Sequence, residues 1–189
     1  MKTIAITGTD GGLGHAMKVE FSRNPHNTII ELNRPQHDLD RDLDSYLVEC
    51  DIFVNCAYSE KSGFAQTELL YKLFEANKDK KCHIINIGSV SGDGDRMLVY
   101  PYGVHKSSLE KACTQLSLVE SECKVSLIKP GRMKTRMTEH RTEYVRMDPS
   151  YVAAAAVWMT LQPTELIVKS LTLDVHNSNR KISWNMLVS

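Results

Sequence analysis

Positive and negative side chains cancel in this chain: 23 Lys plus Arg stand against 23 Asp plus Glu over 189 residues. With no net field, neither nucleic acid nor an anionic membrane is an expected partner. Long apolar runs are also missing. No stretch approaches the roughly 20 apolar residues of a membrane-spanning helix, and residues 153–156 are only a short helix-forming run of alanines. The first apolar run, Ile4-Ala5-Ile6, is too short for a secretory signal and enters a strand directly. Five cysteines (Cys50, Cys56, Cys82, Cys113, Cys123) are irregularly spaced with no C-x-x-C pair, which speaks against a structural zinc site. The seven histidines show no ligand spacing either, so no metal is expected. An odd cysteine count without a secretory segment reads as reduced thiols in the cytoplasm. Repeats, linkers and low-complexity blocks are absent.

What remains is a chain of one-domain length with a 42% hydrophobic share, enough for a full core. Strand-like and helix-like segments alternate along it. Residues 3–7, 28–32, 52–55, 82–87, 125–128 and 170–175 read as strands. Residues 13–23, 65–76, 102–119 and 151–159 read as helices, the last capped near Asp148 or Ser150, and 41–48 as a shorter one. Ala16, Met17, Val19 and Phe21 are available for the buried side of the first helix. Leu69, Leu70, Leu73 and Phe74, then Leu109, Ala112, Cys113 and Leu116, recur at helical spacing. The alternation predicts an α/β fold: a doubly wound parallel sheet with helices on both faces, in a single domain over 1–189. The tail from 177 to 189 turns from polar to apolar and has no evident place.

Two motifs carry chemistry. The first is the loop Thr7-Gly8-Thr9-Asp10-Gly11-Gly12-Leu13-Gly14, which follows a strand and opens a helix. Gly8 suits a tight turn, Gly12 lets backbone approach a pyrophosphate, and Gly14 lets helix and strand pack closely. The helix N-terminus adds N–H groups and a positive dipole end. Past the second strand stands Asn33-Arg34, where an acidic residue would bind a ribose 2′-hydroxyl and an arginine a 2′-phosphate. Arg34 favours NADP(H), because guanidinium matches phosphate; NAD(H) stays open, since Glu31 takes the position if the register slips by two. Asp38-Leu39 could flank the adenine, although Asp38, Asp40, Asp42 and Asp44 read equally well as solvent-facing or capping residues. Asn55-Cys56-Ala57-Tyr58 ends the third strand on the edge where ligands bind in open sheets. Small residues there admit a ribose, while Tyr58 covers the cofactor, narrows the pocket or simply packs.

The second motif is Tyr102 with Lys106 four residues on, and Ser89 thirteen residues before the tyrosine. On a helix the first two share a face. A phenol titrates near 10, and a neighbouring ammonium lowers that value. Ser89 follows a strand and can donate to a substrate oxygen. Lys106 can also hold nicotinamide ribose hydroxyls. Pro130-Gly131-Arg132-Met133-Lys134-Thr135 follows the next strand; Pro130 and Gly131 turn the backbone toward the nicotinamide, and Met133 and Thr135 lie where phosphate or carboxamide would be held. His105 beside Lys106 reads as structural or surface.

As a set, Thr7-Gly8-x-x-x-Gly12-Leu13-Gly14, Asn55-x-Ala57, Ser89, Tyr102-x-x-x-Lys106 and Pro130-Gly131-x-x-x-Thr135 resemble the short-chain dehydrogenase/reductase family, in its order and over nearly the whole chain. The resemblance implies a Rossmann-like fold, a nicotinamide cofactor, interconversion of a carbonyl and an alcohol on a small molecule, and assembly into homodimers or homotetramers. It makes Ser89, Tyr102 and Lys106 the catalytic residues. The chain departs from the family in being unusually short. Only Pro35, Gln36 and His37 separate Arg34 from Asp38, a compact segment similar to that of dTDP-sugar reductases. The family's fourth catalytic residue, an asparagine a helix upstream of the serine, has no match; Asn77 is too close to Ser89. Residues 137–148 leave little material for a lid, and pocket walls are expected from 58–64, 91–99 and 137–147, with Arg96, Met97, Arg136 and Arg141 suited to an anionic or mixed substrate, although arginines are common on surfaces. Those departures motivate a second reading, a nucleotide-binding sensor or partner protein with a relict site. A third, a sugar-nucleotide epimerase or dehydratase, lacks a substrate domain.

Overall fold

A computed structural model describes residues 1–93, 101–140 and 145–176. Arg96, Met97, Arg141 and the tail from 177 lie outside the described residues. Six strands form one parallel sheet: β1 (Thr3–Thr7), β2 (Thr28–Leu32), β3 (Ile52–Asn55), β4 (His83–Ile87), β5 (Lys124–Pro130) and β6 (Ser170–Leu173), in the order β2-β1-β3-β4-β5-β6. The connections run through α1 (Gly12–Phe21), α2 (Ala65–Asn77), α3 (Pro101–Leu116) and α4 (Pro149–Thr160). The expected fold class is the one found.

The period-2 alternation of the strands divides the core between two faces. Ala5, Phe53, Ile84, Val125 and Leu127 point toward α2 and α3 and join Leu69, Leu73, Leu109 and Leu116. Ile4, Ile6, Ile52, Val54, Ile85 and Ile128 point the other way and meet Leu13, Met17, Phe21, Val152 and Ala156 of α1 and α4. Both faces of the central strands are thus covered, which is why they read as near-continuous apolar runs. After β2 the chain crosses back over β1 to form β3, so strand order reverses between β1 and β3. Loops leaving those two strands part there and open a crevice at the carboxyl edge.

Local chemistry moved some boundaries. The helix expected over 41–48 is a single 3₁₀ turn, Asp44–Tyr46. Asp42 accepts from the backbone N–H groups of Asp44 and Ser45, and Asp38 from that of Asp40; such short acceptors compete with helical bonding. Leu39 and Tyr46, 6% and 2% exposed, anchor this irregular segment on the core. In α1 the buried stripe is Leu13, Met17 and Phe21, one face at i, i+4, i+8, and Val19 falls off it at 48% exposure. Asp148 caps α4 by accepting from Ser150 N–H. Among the described residues no helix is long and apolar enough to cross a membrane.

Helix α1 enters against β1 at contact distance: a Cβ on Gly14 would lie 2.0 Å from the Gly8 carbonyl oxygen. Backbone cannot yield there as a side-chain tip would. Gly14→Ala should therefore cost at least the 1–3 kcal/mol or so of core overpacking. Gly11→Ala, with nothing within 4 Å of its added carbon, should cost less than about 1 kcal/mol. Urea unfolding of the two variants checks the contrast; equal midpoints would refute it.

Candidate active site

The crevice at the β1–β3 reversal is walled by three loops. Gly8 and Gly12 have φ of 73° and 49°, in the left-handed region that glycine favours. A Cβ on Gly8 would lie 3.3 Å from the Ala57 Cβ, and one on Gly12 3.2 Å from Thr135 Cγ2. The segments after β1, β3 and β5 therefore meet around the entrance to α1. Thr7 turns the chain after β3, its hydroxyl accepting from the N–H groups of Cys56 and Ala57 at 2.9 and 2.7 Å. Asn33 braces the glycine loop from the tip of β2. Its Oδ1 accepts from Thr9 N–H at 2.7 Å and its Nδ2 donates to Thr9 Oγ1 and Asp10 Oδ1. Asp10, Gly11 and Gly12 stay exposed at the start of α1, whose first turn carries no acidic residue. This cradle, open at Gly11 and set on a helix N-terminus, fits a pyrophosphate.

At the β2 tip, Glu31 is spent underneath the loop. It pairs with Lys18 at 2.7 Å and accepts from Thr9 Oγ1 at 2.6 Å, and these two bonds hold its carboxyl below its ordinary value. Arg34, 61% exposed, is gripped by Asp38 at 3.1 Å and Asp40 at 3.0 Å. Asp40 also accepts from Ser59, beyond β3, so the loops that follow β2 and β3 are tied together. Leu39 is buried beneath them.

Ser89, Tyr102 and Lys106 come together on the far side of the crevice. Ser89 ends the segment after β4, 8% exposed. It accepts from Ser91 N–H at 3.1 Å, and its hydroxyl faces the Tyr102 phenol. The turn and helix α3 approach closely enough for this because Gly103, next to Tyr102, has no side chain: a Cβ there would lie 2.7 Å from Ser91 O. Lys106, one turn on and 3% exposed, donates to Gln66 Oε1 at 2.7 Å and Ile87 O at 2.9 Å. Its Nζ lies 5.6 Å from the centre of the Tyr102 ring and 5.1 Å from that of Tyr58. Tyr58 stands edge-on to Tyr102, centroids 5.0 Å apart, and its hydroxyl lies 3.0 Å from His105 Nδ1. His105 thus braces the wall of the site.

Electrostatics correct one expectation. Lys106 does not bring the Tyr102 phenol down: burial pushes it above its ordinary value, the Ser89 hydroxyl pulls it back, and Cys56 adds to the rise. Burial weighs on Lys106 itself, whose value falls to about 8. The phenol keeps its proton at neutral pH, and the ammonium sits near its own titration point.

Other expected residues have mixed placements. Asn55 is fully buried, its Nδ2 donating to Gln66 O and Asn86 Oδ1. Pro130 is buried, Gly131 packs against Asp174, and Met133 bridges to Met147. Thr138 Oγ1 donates to the Met133 carbonyl and Thr135 caps the turn Arg136–Thr138. Sequence reasoning missed Gln66, for which no local signal exists: its meaning lies in contacts 11 to 40 residues away. Among the described residues no group of three or more His, Cys, Asp or Glu side chains is placed to hold a metal.

No protein-family model and no curated protein matches the sequence. Solved structures do match. A 3-ketoacyl-(acyl-carrier-protein) reductase from Brucella melitensis complexed with NADH is similar at a TM-score of 0.74 and 17% identity, over 92% of this chain and 96% of that one. The closed form of a serine dehydrogenase complexed with NADP+ is similar at 0.70 and 17%, over 90% and 94%. L-sorbose reductase from Gluconobacter frateurii, complexed with NADPH and L-sorbose, is similar at 0.70 and 15%, over 92% and 95%. At these identities the likeness is one of fold, and the chain has the fold that its resemblance to short-chain dehydrogenases/reductases implied.

The lowered Lys106 value has a consequence for stability. Below about pH 8 folded and unfolded chains both hold the proton, and the full cost of burying it is present. Between about 8 and 10.5 only the unfolded chain holds it, so stability rises with pH in that window. Relative to Lys106→Met, the native chain should gain about 2 kcal/mol between pH 7.5 and 9.5. Denaturant unfolding of both proteins at the two pH values measures this; a constant difference would exclude a depressed lysine.

Proposed function

We propose that this chain is an NADP(H)-dependent oxidoreductase of the short-chain dehydrogenase/reductase type, interconverting a carbonyl and an alcohol on a small molecule. The observation that carries the reading is the gathering of Ser89, the Tyr102 phenol and the Lys106 ammonium behind it, on the sheet edge that also bears the glycine cradle. A nicotinamide held along this edge would supply or accept the hydride. Ser89 and Tyr102 offer two hydroxyls to one substrate oxygen. As charge develops on that oxygen, Tyr102 gives it a proton, and the Lys106 ammonium stabilises the phenolate left behind. A phenol kept protonated by burial suits the direction of reduction.

Gly8, Thr9, Asp10, Gly11, Gly12, Leu13 and Gly14 would line the pyrophosphate. Ala57, Tyr58 and Thr135 would stand along the nicotinamide half, Asn33, Arg34, Asp38 and Leu39 along the adenosine half. Arg34 favours NADP(H) through its match to a 2′-phosphate. The pairing of Arg34 with Asp38 and Asp40 favours NAD(H) as the second reading, because two carboxylates around one guanidinium leave a negative balance facing a phosphate. Assembly into a homodimer or homotetramer and a cytoplasmic setting belong to the same proposal; light scattering on the purified protein tests the first.

Titration with NADPH and NADH, followed by intrinsic fluorescence and then by cofactor oxidation against a carbonyl panel, tests the function. Tyr102→Phe should lower kcat by about 10²- to 10⁴-fold with little change in cofactor Kd, and Arg34→Ala should weaken NADPH more than NADH. Unchanged turnover in Tyr102→Phe would remove the phenol from the mechanism. Cofactor binding without turnover on any carbonyl would put a nucleotide-sensing role in place of the enzyme.

A further inference from the structure

We propose that Gln66 is the positioning residue of this site: its side-chain amide fixes the Lys106 ammonium beside Tyr102. The role of the lysine rests on the reductase reading; the Gln66–Lys106 link does not. Gln66 lies in the first turn of α2, 3% exposed. Its Nε2 donates to Asn55 O at 2.7 Å and Ile87 O at 3.2 Å, the last carbonyls of β3 and β4. With both amide hydrogens spent there, Oε1 must face the other way, and it meets Lys106 Nζ at 2.7 Å. The reversed amide would set an NH₂ against an ammonium and an oxygen against two carbonyls, so only one orientation satisfies every partner. The Gln66 backbone carbonyl accepts from Asn55 Nδ2 at 3.0 Å, holding the turn itself to β3.

This geometry makes Gln66 a dedicated acceptor. The groups facing Lys106 are the Cys56 thiol from the end of β3, the Tyr58 ring from the loop beyond it and the Tyr102 ring on its own helix. The Cys56 thiol and the Tyr102 phenol are neutral at neutral pH, and the two rings meet the ammonium with their faces. Without Oε1 the ammonium keeps the Ile87 carbonyl, and a buried charge short of acceptors sheds its proton or withdraws from its place.

The test follows the lysine directly. The full chain is labelled with ¹³C at lysine Cε and titrated by NMR as wild type, Gln66→Met and Lys106→Met, the last to assign the signal, with kcat and KM profiles against pH for NADPH-linked carbonyl reduction alongside. Gln66→Met should lower the Lys106 midpoint by about one pH unit or more and move the alkaline limb of kcat by the same amount, with KM changing far less than kcat. Gln66→Glu keeps an oxygen toward the lysine and should raise the midpoint above that of the wild type, which also decides the matter should Gln66→Met fail to fold. An unmoved midpoint in the folded variants, with only a loss of thermal stability, would overturn the proposal and leave Gln66 a structural plug. Should the wild type reduce no carbonyl, the reductase reading falls, and the NMR arm alone still supports or overturns the link.

Discussion

Three loops leave the sheet at one place and meet there through glycines that leave little space for a side chain. Gly8 sits against Ala57, Gly12 against Thr135, and Gly14 against the Gly8 carbonyl. This close approach sets the crevice, because it holds the carboxyl ends of β1, β3 and β5 together around the start of α1. A parallel sheet with this strand order has one reversal point, and ligands bind there in open α/β folds. The glycine cradle and the Ser89–Tyr102–Lys106 group then occupy the same edge by topology.

The opposite wall depends on polar groups that a purely apolar core would not need. Thr7, Asn55, Gln66 and Asn86 are almost fully buried, and their hydrogen bonds tie strand ends to one another and to α2. Buried polar groups of this kind specify one arrangement when they are satisfied and are costly when they are not. Here they hold the ends of β3 and β4 against α2, beside Lys106 of α3. Position is thereby controlled by elements that do not touch a substrate.

Much of the fold was legible in the sequence. Apolar strands that alternate with amphipathic helices leave few alternatives to a parallel sheet, and all six strands begin within one residue of their expected starts. Irregular backbone was less legible. Between 38 and 46, aspartate side chains took over the N–H groups that a helix would have used, and propensity alone does not say which competitor wins. The Ser89–Tyr102–Lys106 group was legible because its members lie within eighteen residues of one another. Its surroundings were not. Nothing near Arg34 announces that Asp38 and Asp40 will take both sides of its guanidinium, and the bond from Gln66 to Lys106 spans 40 residues.

The buried lysine also bears on how this protein would respond to selection. A charge held out of water weakens the fold that contains it, and proteins commonly carry such weaknesses where chemistry is done. Heat-resistance screens run without a functional assay would therefore tend to discard Lys106 early in favour of an uncharged side chain of similar length. Robustness gained that way would mark the position as one retained for something other than folding.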